Sequence, residues 1–206
     1  GIEGRRALPD SPGLIGPAVL PKRSPAMRAS QDSTVTWKNV PTRTVTAGGV
    51  TFAYRELGTE HPGPPVVFLI HLAAVLDNWD PRIVDGIAAK HRVIAFDNRG
   101  VGASSGSPAT SMEEMARDAI TFIKAMGFDQ VDLFGFSMGG MVAEAQEIVL
   151  MAPQLVRRMI LTGTGPAGGE GISDVARVTY LDMLRGWLTF QDPKQFLFFT
   201  RSPDGI

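Results

Sequence analysis

Ser137 lies in the run Gly135-Phe136-Ser137-Met138-Gly139-Gly140, a Gly-x-Ser-x-Gly pattern set between an apolar stretch and a helix-like one. A serine on such a strand-to-helix turn can present its hydroxyl as a nucleophile. The glycines are needed because the serine's backbone is strained and the strand and helix approach closely. The helix start adds unpaired N–H groups and the positive end of a dipole beside the hydroxyl. A Gly-rich helix start with a capping serine would look the same in isolation, so the context decides. A serine nucleophile also needs a base to take its proton and an acid to orient that base. The chain has three histidines, His61, His71 and His91, and all of them precede Ser137.

The elements that must position Ser137 alternate along the chain. Thr42 to Thr46 and Val50 to Leu57 are β-type runs separated by Ala47-Gly48-Gly49, a hairpin signal. Val66 to Ile70, Val93 to Phe96, Val131 to Phe134 and Met159 to Leu161 are short apolar runs of the kind buried on both faces of a sheet. Helical patterns fall at about Trp79 to Ala89, Ser111 to Met126, Met138 to Leu150 and Asp174 to Leu188. Ser111 with Glu114 reads as a capping box, and Gly127 as the helix stop. Strands alternating with helices imply an α/β fold, a mostly parallel sheet with helices on both faces and the hairpin at one edge.

Composition narrows the chemistry. With 206 residues and 44% hydrophobic content the chain can bury a sizeable core. The net charge of −1 gives no electrostatic case for nucleic acid or an anionic membrane surface. Cysteine is absent, which excludes disulfides, thiolate zinc sites and cysteine nucleophiles. That absence suits a reducing compartment, and a cytoplasmic location is the expectation. No apolar run reaches the roughly 18 residues of a membrane span. No metal-ligand spacing appears, so neither metal nor other cofactor is expected.

Residues 1–30 differ in texture. They hold five prolines and no sustained period, and Ile2-Glu3-Gly4-Arg5 resembles the recognition sequence of the clotting protease factor Xa. This segment is read as a disordered tag or linker, with Met27 as a candidate native start and a natural arm as the alternative. Residues 31–169 then form the α/β core, and 170–206 the start of a helical lid.

Three loops leave the carboxyl ends of the parallel strands, where sites form in such sheets. They are the Ser137 turn; His71-Leu72-Ala73-Ala74, with Trp79 beyond; and Asp97-Asn98-Arg99-Gly100-Val101-Gly102-Ala103-Ser104. Together, and in their order along the chain, they resemble the α/β-hydrolase superfamily, in particular its small serine esterases and perhydrolases. The likeness covers about Thr42 to Thr164. It implies attack by Ser137 on the carbonyl of a small-molecule acyl substrate. It also implies an oxyanion hole made by the backbone N–H groups of Met138 and Ala73. Leu72 stands where the family usually has glycine, and is a fallback donor. By the same resemblance His71 supports its loop, and Asp97 and Arg99 brace loops.

The pattern departs from the family in two ways. Its triad order is Ser, Asp or Glu, then His, yet no histidine follows Ser137, and the turn Thr162 to Pro166 opens with no carboxylate. Glu170 sits in a Gly-rich stretch that reads as exposed loop. The expectation is an N-terminal part of such an enzyme, ending within the lid and inactive by itself. Its uncovered sheet edge would then invite homo-oligomers. The second departure is the run Met141 to Ala152, about two residues longer than usual before Pro153. That excess would turn the following face by ~200°.

Two other readings remain open. The chain could be a non-catalytic, self-associating fragment. Gly163-Thr164-Gly165-Pro166-Ala167-Gly168 also fits a dinucleotide-binding fingerprint, although it comes late and Pro166 delays the helix that should meet the phosphates. Trp187, Phe190, Phe196, Phe198 and Phe199 point to an apolar lid, or to ordinary lid packing.

Overall fold

Strand alternation carries most of the fold. The computed structural model describes residues 35–141, 144–165, 171–192 and 195–196. β1 (Arg43–Ala47) and β2 (Val50–Leu57) form the hairpin, followed by β3 (Val66–Leu69), β4 (Val93–Phe96), β5 (Val131–Phe136) and β6 (Val156–Thr162). They make one six-stranded sheet in the order β1-β2-β4-β3-β5-β6. β2 runs antiparallel to β1 and to β4, whereas β4-β3, β3-β5 and β5-β6 are parallel. The chain leaves β3 toward β4 on one side and returns to β5 on the other. The carboxyl end of β3 is therefore a topological switch point, where a crevice opens.

Successive side chains of each central strand enter opposite cores, as a period of two requires. Val67, Leu69, Ile94, Phe96 and Leu133 pack with Phe122, Ile123 and Ile148 on one face. Val66, Phe68, Val93 and Ala95 pack with Trp37, Trp79 and Val84 on the other. The helices are α1 (Pro81–Ala88), α2 (Met112–Ala125), α3 (Met138–Met141), α4 (Glu144–Met151) and α5 (Ile172–Thr189). Val84 comes from α1, Phe122 and Ile123 from α2 and Ile148 from α4, while Trp37 and Trp79 come from connecting segments. Among the described residues both faces of the central strands β3 and β4 are covered, as expected, whereas β6 is exposed along most of its length.

Capping explains where α1 and α2 begin. Asp80 accepts the Arg82 N–H at 2.9 Å and caps α1, whose first residue is Pro81. The bond from the Arg82 side chain, then that from its backbone, hold the Asp80 carboxyl down at about 2. Ser111 caps α2 by accepting the Glu114 N–H at 3.2 Å. The expected capping box closes one residue early, because the Glu114 carboxylate takes the N–H and hydroxyl of Thr110.

Two strands run further than expected. β5 continues through Gly135 and Phe136, carried by register pairs to Leu161 and Thr162. β6 begins at Val156 and includes Arg157 and Arg158. The Arg157 guanidinium grips Asp132 of the neighbouring strand through two hydrogen bonds, at 2.8 and 2.6 Å. Among the described residues β6 is the last strand on its side of the sheet, and Met159, Ile160 and Leu161 along it are exposed. The helical run after Ser137 is described as two pieces, α3 and α4, on either side of residues 142–143. Ile148 of α4 is fully buried. The expected tail, residues 1–30, lies outside the described residues. So do Pro166 to Glu170, with half of the fingerprint-like run Gly163 to Gly168, and Phe198 and Phe199. No described helix is long and apolar enough to cross a membrane.

Candidate functional site

Ser137 follows β5 directly and has φ 53°, a left-handed conformation that non-glycine residues rarely adopt. Its N–H donates to the Thr162 carbonyl at 3.0 Å, and its own carbonyl accepts the Gly140 N–H at 2.9 Å. These bonds tie the turn to β6 on one side and to α3 on the other, so the surrounding structure holds the strained residue in place. Glycine is required around it. A Cβ on Gly139 would stand 2.1 Å from the Leu69 carbonyl oxygen, and one on Gly135 would stand 2.7 Å from the Gly139 oxygen. The start of α3 thus presses on the end of β3, from which the next loop departs.

That loop, Ile70 to Trp79, is held by several backbone and side-chain bonds. The Val75 N–H donates to Asn78 at 2.8 Å, the Leu76 N–H to the Asp97 carboxylate at 2.8 Å, and the Trp37 indole N–H to the Leu76 carbonyl at 3.2 Å. Ala73 takes φ 56°. Leu72, at the position where glycine was expected, keeps its side chain 70% exposed, and the left-handed residue is its neighbour. Trp79 is buried against Phe68 and Phe134, with Phe136 further along.

Asp97 is 3% exposed and serves as the knot between loops. Besides Leu76 it accepts the Ala103 N–H at 3.0 Å, while its carbonyl accepts the Ser104 hydroxyl at 2.6 Å. Arg99 binds Asp118 of α2 at 2.7 Å and lies 3.5 Å from Glu114. The hydrogen bond to Asp118, above all, raises the Arg99 pKa further. Both residues brace loops, as the sequence implied.

The first two loops meet at a cavity of about 320 Å³. Ala73 and Met138, the two residues expected to form the oxyanion hole, both line it. Among the described residues, neither of their backbone N–H groups donates a hydrogen bond. Met138 is the first residue of α3, where an N–H has no partner inside the helix. The hydroxyl of Ser137, the residue directly before Met138, has no hydrogen-bond partner among the described residues either.

The histidines divide by position. His61 and His91 lie against Gly58, just past β2 and beside the start of β4, at the opposite end of the sheet from Ser137. His71 is at the right end and lines the cavity. Its Nδ1 pairs with the Leu72 carbonyl at 2.9 Å and its ring meets Phe136 edge-on at 5.4 Å. No carboxylate contacts it among the described residues. The described residues also hold no cluster of three or more groups able to ligate a metal. The remaining wall of the cavity, Asn98, Arg99, Val101, Pro108 to Met112, Met115 and Asp118, lies outside the expected site residues. Its signal was present in the Met112 and Met115 pair at helical spacing, which reads equally well as core.

Comparison with known proteins agrees with this layout. The family profile described as alpha/beta hydrolase fold matches residues 64–200. A Mycobacterium tuberculosis protein named as a non-heme bromoperoxidase, BpoC, is 34% identical over 116 residues, which is 56% of this chain and 42% of that protein. An Azorhizobium caulinodans protein named as carbamate hydrolase RutD is 32% identical over 124 residues, 59% of this chain and 45% of that protein. The chain therefore spans less than half the length of either relative. Among solved structures, an alpha/beta hydrolase fold protein from Chitinophaga pinensis superposes with a TM-score of 0.70 at 31% identity, covering 82% of this chain and 59% of that one.

Proposed function

The chain belongs to the alpha/beta hydrolase fold family, and on that premise we propose that it carries the nucleophile and oxyanion hole of a serine hydrolase acting on carboxylic esters or related acyl compounds. One observation carries the reading: Ser137 sits strained at φ 53° directly before Met138, whose undonated N–H lines the same cavity as that of Ala73. The Ser137 oxygen attacks the carbonyl carbon, and the π electrons move onto the carbonyl oxygen. The N–H groups of Met138 and Ala73 receive that charge; such a donor is worth roughly 3–4 kcal/mol in the transition state. The serine proton must pass to a base. Within these 206 residues no histidine follows Ser137, and His71 is occupied in supporting the donor loop. The reading requires no cofactor.

Removing the base from a serine triad costs on the order of 10⁶-fold in kcat. The 206-residue chain is accordingly expected to hydrolyse p-nitrophenyl esters no faster than its Ser137→Ala variant. A serine-dependent rate that disappears in His71→Ala would make His71 the base and overturn this division of roles. The second reading, a non-catalytic chain that self-associates, draws its support from the uncovered Met159, Ile160 and Leu161 along the edge strand β6.

A further inference from the structure

The cavity beside the two N–H donors reaches the start of α2, and its wall is chemically selective. Thioether and aliphatic side chains dominate it, with Met112, Met115 and Met138 among them. Its charges are already spent on each other: Arg99 binds Asp118 at 2.7 Å. Thr110 and Ser111 are engaged with Glu114 and the α2 cap. The half-buried Asn98 differs. Its side-chain amide has no partner among the described residues, and it lines the cavity. An amide offers both a donor and an acceptor without charge.

We infer that this cavity is a subsite for an uncharged acyl chain carrying a neutral oxygen, with Asn98 as the residue that selects it. At roughly 30 Å³ per small group, the space accommodates about ten heavy atoms. An anionic chain would find no free cation there, because Arg99 is neutralised by Asp118 and Glu114. An apolar chain is accepted by the methionines, which adapt their shape readily. The inference rests on the proposed acyl chemistry, since it takes the donor end of the cavity as the carbonyl end.

The test is a binding measurement on the full chain, independent of turnover. Protein labelled with ¹³C at the methionine methyls is titrated with three inert amides: N-methylhexanamide, 6-hydroxy-N-methylhexanamide and the anionic N-methyladipamate. The expected result is saturable shifts of Met112, Met115 and Met138 alone, with the hydroxylated amide bound about five- to tenfold more tightly than the plain one. The adipamate should bind at least tenfold more weakly than the hydroxylated amide. Asn98→Leu and Asn98→Ala should remove the hydroxyl preference and leave the plain amide unchanged, and the methyl spectrum itself reports that each variant is folded. The inference is overturned if those three methyls do not shift, if the adipamate binds equally well, or if the Asn98 variants weaken all three ligands alike. In each such case, retained fluorophosphonate labelling of Ser137 would show that only the subsite had failed. Loss of that labelling would count against the hydrolase reading itself.

Discussion

Gly139→Ala is expected to lower the melting temperature by about 6–12 °C and to abolish labelling of Ser137 by acylating probes. The new methyl carbon would sit 2.1 Å from the Leu69 carbonyl oxygen and 2.4 Å from its carbon. Ordinary contacts lie near 3.5 Å, so backbone must move by more than an ångström. The obstacle is the end of a central strand, and no flexible side chain is available to step aside. Overpacking of this kind costs about 1–3 kcal/mol and occasionally more. At roughly 2–4 °C per kcal/mol for a domain of this size, the upper part of that range produces the stated shift. Relief of the clash would push α3 away from β3 and carry the Met138 N–H away from the Ala73 loop. Gly86→Ala in α1 is the internal control. Nothing lies within 4 Å of its Cβ position, and alanine in a helix interior is favoured over glycine by up to about 1 kcal/mol. Thermal unfolding of both variants beside the parent chain checks the contrast. Equal melting temperatures would contradict the close approach on which the serine turn depends.

Asp97→Ala should be nearly as damaging, through a different cause. The carboxylate is almost fully buried and accepts the N–H groups of Leu76 and Ala103, at 2.8 and 3.0 Å. Hydrogen bonds to a charged group contribute about 1.5–3 kcal/mol each, and a buried N–H left unpaired carries its desolvation penalty. A loss of about 3–5 kcal/mol is therefore expected in urea unfolding. Asp97→Asn keeps one acceptor oxygen but turns an NH₂ toward the other N–H, and should lose about half as much. Because Leu76 anchors the loop that holds Ala73, the alanine variant should also slow Ser137 labelling while leaving the serine in place. Unchanged labelling in a clearly destabilised variant would show that Asp97 does not position the donor loop.

Much of this architecture was legible in the sequence because the signals were local. Val66 to Leu69 and Val93 to Phe96 are continuous apolar runs, and the structure buries both on two faces. The hairpin at Ala47-Gly48-Gly49 and the cap at Ser111 follow from turn and capping chemistry. β6 was expected only from Met159, because Arg157 and Arg158 do not look like buried strand. They belong to it because β6 is the edge strand among the described residues and Asp132 receives the Arg157 guanidinium. Glu114 was assigned to Ser111 and closes on Thr110, a one-residue choice that local pattern does not settle.

At the site the balance was similar. The serine turn and the bracing roles of Asp97 and Arg99 were readable from loop motifs. The shape of the Ala73 loop was not, because a left-handed alanine following a leucine has no sequence signature. Nor was the Asn98 wall of the cavity, which arises where the loop after β4 meets the start of α2, residues separated along the chain and joined only by packing.

Intact-mass analysis after exposure to a fluorophosphonate tests the central claim most directly, because oxyanion donors alone retain part of the rate acceleration when triad members are missing, enough for slow labelling of the serine. The account predicts slow accumulation of a single adduct, mapped to Ser137 and absent from Ser137→Ala. Absence of any adduct, where an added active serine hydrolase in the same tube is fully labelled, or equal labelling of Ser137→Ala, would contradict it.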